Sequence, residues 1–243
     1  MLREIDEDEF IRTFVALLKR ELFVVSEDHV QFSTNDPAIM THVWRRGDFY
    51  LGGSSERTPD PGTYVRSGSL TPVKQWLVMD NFDLLRIRLG LKDFGISYRH
   101  VLIAPNWSHR PGPNQYSLEL CHNDQPTGTI VGKWSDEATK LTWFLNHTPE
   151  RLLDIAHIED VEEACQALFG TTHIPYSKNT TKTRQTRYLF READAPGTID
   201  YDEHNCGRLA KMSSSGPSSP CLTERFTLST RITSSFRATT STS

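Results

Sequence analysis

Apolar residues recur at helical spacing near the start of the chain and alternate with polar ones through its middle. Ile11, Phe14, Val15, Leu18 and Leu22, flanked by Phe10 and Leu17, share one helical face. Acids crowd the first turn, and Lys19 and Arg20 the last, as a helix dipole favours. A short strand over 29–33 follows.

Residues 34–70 are punctuated by Pro37, Gly47, Gly52, Gly53, Pro59, Pro61, Gly62 and Gly68. Short strands over 49–51 and 64–66 are expected there among loops, with Gly52-Gly53 read as a plain turn. Thr71-Pro72 then reads as a cap followed by proline at the first helical position, with Gly90 as the stop. Val73, Trp76, Leu77, Leu84 and Leu85 suit a helix between them. A break at Asn81 would instead make 85–89 an alternating strand, and both readings stay open.

The centre reads as an antiparallel meander. Ile96, Tyr98, His100 and Leu102 share one phase of its first strand, and Tyr116, Leu118, Leu120 and His122 one phase of its second. Ile130, Gly132 and Trp134 continue it after a turn at 125–128, and Leu141, Trp143 and Leu145 supply a fourth strand. A register that keeps apolar phases on one face sets Tyr98 beside His122 and His100 beside Leu120. Thr148-Pro149 opens a short helix, and a second carries Val161, Ala164, Cys165 and Leu168 and ends at Gly170. The expected fold class is α+β: a four-stranded antiparallel meander covered by N-terminal and C-terminal helices, followed by a disordered tail.

Composition divides the chain into a globular domain over 1–170, a linker over 171–211 that is basic and then mixed in charge, and a Ser/Thr-rich tail over 212–243. From Ser213 to Ser243, 17 of 31 residues are Ser or Thr, too few apolar groups to offset the entropy of ordering them. Charge divides in the same place. Residues 1–170 carry 17 Lys and Arg against 25 Asp and Glu, whereas 171–243 carry 10 against 6. An acidic body argues against a reader of duplex DNA. The acidic N-terminus and the short apolar runs argue against a targeting segment or a membrane span, so a cytoplasmic or nuclear protein is expected. Ser219-Pro220 in the tail is a candidate phosphorylation site.

Three constellations carry candidate chemistry. His100, His122 and Tyr98, on one face of neighbouring strands, would serve as acid–base groups of a small-molecule enzyme; the register places no carboxylate to orient either ring. The segment 105–114, read as a long proline-stiffened loop, holds out Trp107, His109 and Arg110, while Trp44, Arg45 and Arg46 form a second aromatic and basic cluster. Tryptophan and arginine are the residues most enriched at binding hot spots. Arg184 and Arg187 lie in a basic run over 178–191. The scattered Cys121, Cys165, Cys206 and Cys221 and the absence of paired ligand spacing indicate no disulfide framework, no metal and no cofactor. The favoured reading is a protein-binding or adaptor module. A small-molecule enzyme is the alternative, and a binder of single-stranded nucleic acid, for which the acidic body is ill suited, the third.

Overall fold

The computed structural model describes residues 5–176 apart from 34, 35, 37, 59, 97–99 and 133–135. The linker and tail expected after residue 170 therefore lie outside the described residues beyond Tyr176. Among the described residues six helices and eight strands follow one another as α1 (Glu9–Leu17), β1 (Phe23–Ser26), β2 (His29–Ser33), β3 (Ile39–Arg46), β4 (Phe49–Glu56), β5 (Gly62–Ser67), α2 (Leu70–Asp80), α3 (Phe82–Arg88), β6 (Trp107–Pro111), β7 (Ser117–His122), β8 (Gln125–Gly132), α4 (Glu137–Phe144), α5 (Pro149–His157) and α6 (Val161–Phe169). The strands form one antiparallel sheet in the order β1-β2-β3-β4-β5-β8-β7-β6.

This overturns the four-stranded meander. Within the expected first strand, Ile96 and residues 100–102 pair with no strand of the sheet, and 97–99 lie outside the described residues. Leu102 instead donates its N–H to Pro175, its carbonyl accepts from Trp143 Nε1, and Val101 bridges Tyr176. The partner of β7 is the segment read as a loop, β6, with Trp107 opposite His122 and Arg110 opposite Glu119. The β7–β8 turn falls at Asn123 and Asp124, both in the left-handed region (φ 49° and 61°), as a two-residue hairpin requires. The expected fourth strand is helix α4. Ala138, Leu141, Thr142, Trp143 and Phe144 are all buried on it, so apolar residues surround it and alternate residues mimic a strand.

The first helix ends at Leu17, short of Leu22 and of Lys19 and Arg20, which therefore do not occupy its last turn; other end signals lie where they were expected. Asp8 caps α1 by accepting from Ile11 N, Thr148 caps α5 ahead of Pro149, and Gly170 ends α6 at φ 68°. The stretch over 71–90 breaks at Asn81 into α2 and α3, with Ser69 as the cap, and residues 85–88 are helical rather than a strand.

One sheet face packs on the helices. Its central row runs Val24, Val30, Val43, Gly52, Val65, Val131 and Leu118, with Trp76 of α2 against Gly52. Phe14 of α1 meets Phe32 edge-on at 6.4 Å. The helices are tied together by Arg86, which is fully buried while its neighbour Ile87 is 55% exposed. Its guanidinium donates to the carbonyls of Lys92 (2.7 Å), Ala156 (3.2 Å), Ile158 (2.7 Å) and Glu159 (3.3 Å) and lies over the Phe94 ring. Arg86→Met leaves those carbonyls without their donor, and a loss of about 3 kcal/mol is expected in urea unfolding. A loss under about 1 kcal/mol would show that α3 is held by apolar packing alone.

Candidate functional site

Among the described residues no helix lies on the opposite sheet face, and strand alternation decides what stands on it. The register builds one cross-strand row from His29, Trp44, Leu51, Arg66, Ile130, Glu119 and Arg110. Beside it run Gln31, His42, Gly53 and Thr63. Gly53 stands opposite His42, so the directly facing position of β4 puts no side chain against that imidazole.

His29, His42 and Ser55 form a hydrogen-bonded chain. His42 Nδ1 lies 3.0 Å from His29 Nε2, and His42 Nε2 lies 2.8 Å from Ser55 Oγ. Trp44 stands 6.1 Å from the His29 ring and edge-on to His42 at 6.4 Å. His42 and Ser55 are buried. Burial first, and the charge of His29 second, pushes the His42 pKa down to about 4, and burial also lowers His29. Both rings are therefore neutral at pH 7, and one ring proton between them suffices to join the chain. On the same face the Arg66 guanidinium stacks 3.6 Å above the Phe49 ring.

The residues singled out from sequence divide between the two faces. Trp44, Arg46 and Arg110 stand on the helix-free face, Trp44 half-buried and the two arginines exposed. Arg110 there pairs with Glu119 at 2.7 Å. Arg45 points to the other side and pairs with Asp28 at 2.7 Å. Trp107 is not held out on a loop. It lies on β6, donates from Nε1 to Asn146 Oδ1 (2.8 Å) and stacks 4.9 Å from the His122 ring. His109 is exposed on the same strand.

His100 lies outside every strand, so the register that set it diagonal to His122 no longer applies. Its Nδ1 comes within 3.9 Å of Asp136 Oδ2, a carboxylate that the sequence register did not provide. Tyr98, Arg184 and Arg187 lie outside the described residues. The reading missed His29, His42, Ser55, Phe49 and Arg66 as a group because it placed no strand over 39–46. The alternation of Met40, His42, Trp44 and Arg46 is the signal that would have found their shared face.

A serine bonded to an imidazole that is bonded to a second imidazole has the connectivity of an activated nucleophile. Ser55 is only 4% exposed, however, and the backbone around it is engaged in the sheet ladder. The chain as it stands satisfies buried polar groups and stiffens β2, β3 and β4. A cleft of about 400 Å³ lies elsewhere, between α1, α2 and α5, lined by Asp8, Phe10, Lys74, Glu150 and Leu153, with Lys74 paired to Asp8. Among the described residues, no group of three His, Cys, Asp or Glu is placed to hold a metal ion, and no helix is long and apolar enough to cross a membrane.

No family model matches the chain, and no curated protein does. A solved structure, Rv3902c from M. tuberculosis, is similar at a TM-score of 0.53 and 13% identity, over 65% of this chain and 91% of that one. At that identity the likeness shows a shared fold alone.

The depressed histidines set a pH dependence. An unfolded histidine protonates near pH 6.5 and His42 in the fold near 4, so its stabilising contribution is complete above about pH 6.5 and is lost as pH falls toward 4. Between pH 7 and 5 the expected loss from His42 is about 2 kcal/mol. His42→Gln should remove most of that decline in urea midpoints measured from pH 7 to 5. An equal decline in the variant would locate the sensitivity elsewhere.

Proposed function

We propose that this chain is a protein-binding module whose working surface is the helix-free face around Trp44. The observation that carries the reading is the rigid aromatic and basic cluster on that face: Trp44 against the His29–His42–Ser55 chain, exposed Phe49 stacked with Arg66, and Arg46 at the neighbouring hairpin end. Tryptophan and arginine contribute most where neighbours hold them before the partner arrives, because less freedom is lost on binding. A pair of hydrogen-bonded rings beneath Trp44 supplies that restraint. The acidic balance of residues 1–170 favours a protein over a nucleic-acid strand, which a basic groove would have to attract.

The test is affinity capture on the immobilised full chain, with nuclease-treated extract and with variants whose thermal unfolding matches wild type. Trp44→Ala and, independently, the more exposed Arg46→Ala should each lower retention of a specific protein at least about tenfold, the loss expected of a hot-spot truncation. Retention unchanged in both variants, or abolished by nuclease in wild type, contradicts the reading.

A further inference from the structure

The cleft between α1, α2 and α5 has the size of a small-ligand site, about 400 Å³. An ion pair forms its buried part. Asp8 is 6% exposed; one of its carboxylate oxygens accepts from Ile11 N and the other meets Lys74 Nζ. Lys74 is thereby neutralised, and its ammonium lies 5.5 Å over the Phe10 ring. Phe10 on α1 and Leu153 on α5 supply apolar wall, and the exposed carboxylates of Glu9 and Glu150 complete the charged lining.

An acid in the first turn of a helix suits the helix dipole and by itself implies no ligand. Here two helices bring theirs to one cavity. Three carboxylates against one ammonium leave the lining with a net charge of minus two. Neither Glu9 nor Glu150 has an ion-pair partner among the described residues. The cations nearest them in sequence are engaged elsewhere: Arg12 donates to the Asp6 carbonyl at 2.6 Å, and Arg151 lies 3.9 Å from Asp154. Among the described residues the lining supplies no group of three ligands placed for a metal ion. What matches two carboxylates joined by apolar wall is positive charge carried on a flexible hydrocarbon stem.

We infer that this cleft binds a short aliphatic diamine or polyamine, its methylene chain along Phe10 and Leu153 and its ammonium groups paired with Glu9 and Glu150. Asp8 holds Lys74 back from opposing the incoming charge. The site lies in the helix layer, apart from the Trp44 surface, and does not rest on the function proposed for that surface.

The test is an NMR titration of the full chain at pH 7 and low salt, with putrescine, spermidine, butylamine and magnesium chloride as separate probes. Putrescine or spermidine should shift the amides over 9–13 and 150–153 and saturate them below about 1 mM. Butylamine has the stem with one charge and Mg²⁺ the charge with no stem, so each should bind at least about tenfold more weakly. Glu9→Gln and Glu150→Gln keep the caps Asp8 and Thr148 in place, and each should weaken diamine binding about fivefold or more. Glu162→Gln removes an exposed carboxylate of α6 outside the cleft and should change nothing. No saturable shift at about 10 mM of either polyamine overturns the inference. So does Mg²⁺ binding as tightly as the diamine, or an equal loss in Glu150→Gln and Glu162→Gln, either of which reduces the effect to the acidity of the whole body.

Discussion

The helix layer reaches the sheet where β4 has no side chain to hold it off. Trp76 is buried against Gly52, and a Cβ there would come within 2.5 Å of its ring. Its indole stacks on Tyr64 at 6.1 Å and an interplanar angle of 20°, so the ring cannot easily turn aside. The next residue is as constrained. A Cβ on Gly53 would stand 1.8 Å from the Gly62 carbonyl at the bulge where β4 and β5 change register. The glycine pair is thus a seat for the helices on one side and a close approach of two strands on the other.

That seat fixes more than packing. A one-residue slip of β4 that brought Leu51 under Trp76 would offer it a side chain, and a slip in either direction would turn every neighbouring residue over. With Gly52 under Trp76, the alternation places Leu51 and Gly53 on the far side, and the β3 register then brings Trp44 and His42 there with them. The two faces are completed by different forces. The helix side is closed by apolar burial of Phe14, Phe32, Val43, Val65, Trp76 and Leu77. The far side is organised by polar chemistry that neutral histidines supply, with Ser55 as the last member of the chain. Neutral rings satisfy each other; charged ones would not.

Legibility followed the kind of signal. Caps and stops were readable because they act within a few residues: Thr148-Pro149 and Gly170 each determine a boundary by local geometry. Strand β3 and the second half of β4 were hidden because Gly52-Gly53 looks like a turn, and the reason for those glycines lies on a helix that comes later in the chain. Helix α4 was hidden because it is buried on all sides. The burial of Arg86 had no local signal, because charge normally means exposure, whereas here backbone carbonyls from 70 or more residues away take it in. The residues singled out from sequence are brought together only in part. Trp44, Arg46 and Arg110 stand on one face, but the histidine pair that supports Trp44 comes from two strands whose register no local pattern declares.

The direct test of this account is a double-mutant cycle between positions 52 and 76, followed by urea unfolding. Gly52→Ala alone should cost about 2 kcal/mol, the range for forcing a methyl group into a packed contact. Trp76→Ala removes the ring that meets that methyl, so in its background Gly52→Ala should cost little, a coupling of more than about 1 kcal/mol. If Gly52→Ala costs the same in both backgrounds, or nothing in either, the Trp76 seat does not set the register and the arrangement of the far face needs another cause.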